Sequence, residues 1–305
     1  MSQFIDDKKK DLLMFMVDEM IPSDLYEDRD FDESLDFVIS NFIKKPSLLL
    51  SFFSVRSLSF IRDKLNGTSK DDTFKRGLFL LEDYSALIYL GIVDYETLEI
   101  NVKYNEVLHE ALKIGEADSI VYNNTLLKGL IDLYGYCDIE SLKRIYLNTI
   151  DSSKSPDEIS LTKLIESSGL IYPHVYIHDD VIFRRELQEK LSDFIELRTR
   201  LNPNLKDYKL FSTKEILFFQ SRFTFLEDVK YLRNNDWVTL YLNRTFFILQ
   251  DPASFIKDHR VNKESKELIN KYNQYNPKWY LLGRTIEQHK KYLTEEEEKD
   301  EEENA

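Results

Sequence analysis

The sequence predicts a mainly α fold: a helical bundle with one or two winged-helix-like modules that carry small β-hairpins. Three observations predict it. Apolar residues recur at spacings of three and four along most of the 305 residues. Only 8 Gly and 7 Pro occur, too few for the many tight turns of a sandwich or propeller, or for the glycine-rich loop of a doubly wound dinucleotide fold. In two places the apolar period shortens to about two directly after a helical run. With 42% hydrophobic residues, 20 Phe and 18 Tyr, the chain has ample material for a core, and its length favours several packed subdomains.

The elements follow in order. Phe4, Leu12, Leu13, Phe15, Met16 and Met20 form one helical stripe that should dock on the body. Pro22 and the acidic stretch after it break this helix, and Leu35, Phe37, Val38 and Phe42 resume helical spacing up to Pro46. Residues 1–46 are thus an N-terminal helical segment. The run from Ser47 reads as a short buried helix and an amphipathic one stopped at Asn66-Gly67. A helix through Leu78 to Leu90 ends at Gly91, a small hairpin spans 92–102 around Glu96-Thr97, and a helix from Asn105 to Ile114 closes a first module over 47–117.

A second module over 118–186 repeats this order more clearly. Helices are expected at 124–135, ended by Gly135; at 138–150, capped by Asp138; and at 156–169, with Pro156 at its first position. An apolar hairpin then turns at Asp179-Asp180. Three short helices and a two-stranded flap make the winged-helix plan. Residues 187–293 read as a C-terminal helical domain, with helices at 186–200, at 213–233 behind the capping box Ser212-x-x-Glu215, at 238–250, and from Thr285 onward. Residues 294–305 are an acidic, solvated, disordered tail that extends the last helix in frayed form.

Charge narrows the function classes. The net charge is −14, yet residues 41–76 carry +5 through Lys44, Lys45, Arg56, Arg62, Lys64, Lys70, Lys75 and Arg76. They are the candidate nucleic-acid surface. The helix a winged module would insert into DNA has Asp157, Glu158 and Glu166 against Lys163 alone, and the wing at 178–185 is neutral. Phosphate contacts supply most non-specific affinity, so an acidic helix is repelled. The N-terminus shows neither a leader pattern nor a long apolar run, so no membrane partner is expected and the location is cytoplasmic.

Signatures of chemistry are sparse. There is no phosphate loop and no Gly-x-Ser-x-Gly elbow. The single cysteine, Cys137, has no histidine near it in sequence, can form no internal disulfide, and is consistent with a reducing compartment. No cofactor is expected. His174, His178 and Asp180 alternate along the predicted hairpin and are the candidate metal ligands, while His109, His259 and His289 are scattered singly.

The stretch NTLLKGLIDLYG followed by Leu142 and Ile145-Tyr146, and the later Asn276-Pro277-x-Trp279 with Gly283-x-Thr285-x-Glu287, resemble uncharacterised helical, winged-helix-like cytosolic proteins of Gram-positive bacteria and their mobile elements. Some of those proteins end in a Cys-rich SEC-C zinc motif. Here the acidic run stands in that place, so the resemblance implies the architecture and no zinc site. The expectation is a non-enzymatic, regulatory or adaptor protein that binds another protein. A DNA- or RNA-binding regulator using 41–76 is the alternative, disfavoured by charge, and a metal-dependent enzyme is the second alternative.

Overall fold

The computed structural model describes residues 7, 9–14, 31–68, 84–150, 161–172, 175–202, 204–220 and 278–303. These are mainly helical, with a small antiparallel sheet. Helices α1 (Phe31–Lys44), α2 (Pro46–Leu50), α3 (Val55–Leu65), α4 (Ser85–Tyr89), α5 (Asn105–Lys113) and α6 (Ala117–Tyr134) come first. Strand β1 (Tyr136–Asp138), α7 (Ile139–Thr149), α8 (Leu161–Ile171), β2 (Val175–His178) and β3 (Val181–Arg184) follow, in sheet order β1-β3-β2. The remaining helices are α9 (Leu191–Leu201), α10 (Thr213–Gln220) and α11 (Ile286–Glu303). The chain divides into two compact units, Met1–Lys128 with Tyr146–Asp180 and Gly129–Ile145 with Val181–Ala305. The division cuts the expected 118–186 module inside α6, inside α7 and just after the Asp179-Asp180 turn.

The first unit is built on apolar helix faces. Val38, Ile39 and Phe42 of α1 are buried at helical spacing, with Leu48, Leu49 and Leu50 of α2 and Leu58, Phe60 and Ile61 of α3. The chain bends between α2 and α3, which frees backbone groups that must find partners. Ser54 and Ser57 cap α3 reciprocally: the Ser57 amide donates to Ser54 Oγ at 3.1 Å and the Ser54 amide to Ser57 Oγ at 2.8 Å. The middle of α6 takes up two more groups. Asn124 Nδ2 donates to the Leu50 carbonyl at 2.9 Å, and the Val55 amide donates to Thr125 Oγ1 at 3.0 Å. Polar residues inside an otherwise apolar helix are thus explained by the bend they serve.

The first expected hairpin is reduced to one bridge, Val93 to Ile100. Asp94 is the cause. Its carboxylate accepts from the Thr97 amide at 2.7 Å, the Glu96 amide at 3.0 Å and the Thr97 hydroxyl at 2.9 Å, and so offers the backbone a turn in place of a ladder. The same bonds, Thr97 foremost, hold the Asp94 carboxyl below its ordinary value.

The second unit is organised around the end of α6. Gly135 stops the helix at φ +64, and its carbonyl accepts from the Arg184 amide at 2.8 Å. The Trp279 ring covers it so closely that a Cβ on Gly135 would lie 2.0 Å from Trp279 Cδ2. Trp279 Nε1 donates to the Asp132 carbonyl at 2.9 Å, and the Asp132 carboxylate pairs with the nearly buried Arg184. β1 then pairs with β3 in the register Tyr136–Phe183, Cys137–Ile182 and Asp138–Val181. Arg198 of α9 is 4% exposed. Its guanidinium lies over the rings of Tyr136 and Tyr208, 4.8 and 5.0 Å from their centroids. It donates to the Tyr136 carbonyl at 2.7 Å and to the Tyr208 hydroxyl.

Several boundaries differ from the expectation. α6 starts at Ala117, seven residues before the expected start at 124, because Ala117 and Val121 add buried positions. β1 is an added strand. α8 runs through Gly169 to Ile171, so Leu170 and Ile171 are helical rather than extended, and the Tyr172 amide continues the ladder to the Ser168 carbonyl. A 3-10 turn at Arg185–Lys190 precedes α9. Asp138 caps α7 as expected, accepting from the Ser141 amide at 2.7 Å. Ser212 and Glu215 form their reciprocal cap on α10. The last helix continues through the acidic run to Glu303, where a disordered tail is expected; Lys291–Glu295 and Lys299–Glu296 pairs at helical spacing support it. The helix expected at 238–250 lies outside the described residues.

Gly135→Ala should cost about 2–5 kcal/mol, combining left-handed strain with overpacking against Trp279. Gly67→Ala, at φ +66 with nothing within 4 Å of the added carbon, should cost only about 1 kcal/mol. Urea midpoints of the two variants check the difference.

Candidate interaction surface

Helix α8 covers most of the stretch expected from the sequence to be a groove-reading helix. Here it faces inward. Leu164, Ile165, Ser167, Ser168 and Ile171 are buried, and every other residue of the helix is at best half-exposed. It packs on β2 and α4. Its charged residues Lys163 and Glu166 pair with one another at 3.4 Å. A helix whose apolar and small side chains are spent on its own core has little left to lay into a groove.

Two of the candidate basic residues are engaged by carboxylates. Arg62 meets Asp118 of α6 in a two-pronged contact, with Nη1 to Oδ1 at 2.7 Å and Nη2 to Oδ2 at 3.1 Å. That bond holds the Asp118 carboxyl below its ordinary value. Lys64 meets Glu99 at 2.8 Å. Surface pairs of this kind contribute about 0–1 kcal/mol each, so their importance is electrostatic: a phosphate approaching either cation also meets the carboxylate beside it. Arg56 is half-buried. Lys44 and Lys45, at the end of α1, are exposed. Lys70, Lys75 and Arg76 lie outside the described residues. Of the five described cations, two are therefore paired with carboxylates, one is half-buried and two are exposed.

The first unit also exposes a few large apolar side chains among its described residues. Val102, in the 3-10 turn before α5, is 78% exposed, Val55 at the start of α3 is 46% and Ile43 near the end of α1 is 38%. The neighbouring Lys103 reaches Asp36 of α1 at 2.7 Å, which holds the turn against α1. Ile43 lies two helical turns beyond Asp36 on the same face. Lys44 and Lys45 follow it directly. A half-open cavity of about 650 Å³ lies in this unit between residues 9–14, α1, the end of α4 and the Val93–Ile100 bridge. Leu13, Leu35, Tyr89 and Ile100 line it together with Lys9, Lys10, Asp94 and Glu99.

Of the metal candidates the structure describes His178 and Asp180. His174 lies outside the described residues. His178 is exposed and faces Asp179 at 3.4 Å, while Asp180 occupies the hairpin turn at φ 61. Among the described residues no three His, Cys, Asp or Glu side chains are grouped as ligands would be.

Two chemically notable groups in the second unit had no sequence signal strong enough to single out their environment. Cys137 is 1% exposed, and burial pushes its thiol up to about 12. Lys278 is 1% exposed, and burial pushes its amine down to about 8. No described helix is long and apolar enough to cross a membrane.

Cys137 should resist a thiol reagent such as dithionitrobenzoate at pH 8 in the folded chain, reacting at least about a hundredfold more slowly than in urea, because the thiolate is the nucleophile and burial suppresses it. Comparison with family models, with curated proteins and with solved structures gave no match.

Proposed function

We propose that this chain is a non-enzymatic binding protein, of regulatory or adaptor type, that contacts another polypeptide. α6, α7, α8 and the β2–β3 hairpin follow one another in the order of a winged helix, and in this reading the module serves as a scaffold and not as a groove reader. The inward packing of α8 carries the proposal: its buried residues Leu164, Ile165, Ser167, Ser168 and Ile171 cannot reach a base edge. The pairing of Arg62 and Lys64 with carboxylates supports it. The contact is assigned to the exposed apolar side chains Val102 and Ile43, on the side of α1 to which the Lys103–Asp36 pair holds the turn, with Lys44 and Lys45 following Ile43 in the chain, a mixture suited to a polypeptide surface.

A photoreactive amino acid at position 102, activated in the native cell, tests this. The expected outcome is one discrete protein adduct, lost when Ile43→Asp is added. Adducts to nucleic acid, or a diffuse ladder unaffected by Ile43→Asp, would contradict it. In parallel, retention of the purified chain on immobilised duplex DNA at physiological salt should be negligible, and Lys44→Glu with Lys45→Glu should leave it so.

A further inference from the structure

The second unit contains a histidine that the proposed interaction does not use. His289, in the first turns of α11, is 6% exposed, and neither ring nitrogen has a hydrogen-bond partner of normal geometry. Its ring stacks on Tyr292, with centroids 6.0 Å apart, and Tyr292 is itself 8% exposed. The Arg284 guanidinium lies 3.9 Å over the Tyr292 ring. These three side chains fasten the start of α11 to the unit.

We propose that His289 is a proton-operated latch: taking up a proton forces its ring out of this site and releases the start of α11 from the second unit.

The groups facing the ring decide the direction. On α9, the Leu201 carbonyl favours a charged imidazole; Asn202 beside it spends its amide nitrogen on the Arg198 and Tyr280 carbonyls. Ahead of α11, Arg284 repels an imidazolium. In the 204–212 segment, Asp207 is engaged by Arg284, at 3.2 Å through its carboxylate and 2.7 Å through its carbonyl. On α11 itself, Glu296 acts on Tyr292. Burial is the largest cause and Arg284 adds to it, so the ring binds a proton less readily than a free histidine at 6.5. The released ring therefore takes up protons first. Docking is at full strength above about 6.5 and weakens as the pH falls from there towards the docked ring's lower value, tenfold for each unit of depression.

Hydrogen exchange of the full chain, corrected for intrinsic rates, tests the latch at pH 7.5 and pH 5.0. Protection of residues 286–296 should be measurably lost between the two, while β1 and α7 keep theirs. His289→Gln, which carries no titrating proton, should remove this pH step. Equal protection at both pH values in the wild type, or the same step in His289→Gln, overturns the proposal. A reading without a variant is the His289 Cε1–H resonance: titration below 6.5 in step with the loss of protection supports the latch, and titration at or above 6.5 overturns it.

Discussion

Burial of α8 within the first unit is the constraint on which the functional account depends. Fully removing side chains such as Leu164 and Ile165 from water is worth about 1.5–3 kcal/mol each. Their release to present the helix to a ligand would therefore cost more than a few surface ion pairs could return. Ser167 and Ser168 fit this packing because each hydroxyl donates back to the Leu164 carbonyl, at 2.7 and 3.3 Å, so two polar residues enter the core with their hydrogen bonds made. The helix is held from two sides, by β2 and by α4. The surface left for a partner is then set by what the core does not claim.

The second unit reaches stability by a different route. It buries cations on aromatic faces. Arg198 between Tyr136 and Tyr208, and Arg284 on Tyr292, are guanidinium groups whose flat faces match rings and whose edges still reach carbonyls. Tyr134 joins the same layer: its ring meets Tyr208 edge-on at 5.0 Å, and its hydroxyl donates to the Lys209 carbonyl at 2.7 Å. Gly283, at φ +84, lets this layer close, since a Cβ there would come within 2.8 Å of Phe211. Such a unit is specific in shape but sensitive to charge, which is why a single buried imidazole at its edge can act as a latch.

Local patterns were legible in the sequence wherever the cause was itself local. The apolar stripe of α1, the stop at Asn66-Gly67, the Asp138 cap, the Ser212–Glu215 box and the Asp179-Asp180 turn all rest on residues within a few positions of one another. The errors share the opposite character. The 92–102 hairpin was overridden by the Asp94 side chain, and the alternating Leu170-Ile171 was claimed by the helix because the core of the unit takes Ile171. The partners of Arg62 and Lys64 were equally hidden, because Asp118 and Glu99 lie 56 and 35 residues away. No periodicity encodes such pairs. Arg198 and Trp279 were likewise invisible as organising residues, since their partners come from distant segments.

Hydroxyl-radical footprinting of the intact chain at neutral pH tests the central claim most directly, because it reads side-chain exposure and not backbone protection. Leu164 and Ile165, at 4% and 0% exposure, should be oxidised far more slowly than Val102 at 78%. Oxidation of Leu164 and Ile165 at the rate of Val102 would mean that α8 is presented to solvent, and would contradict the account.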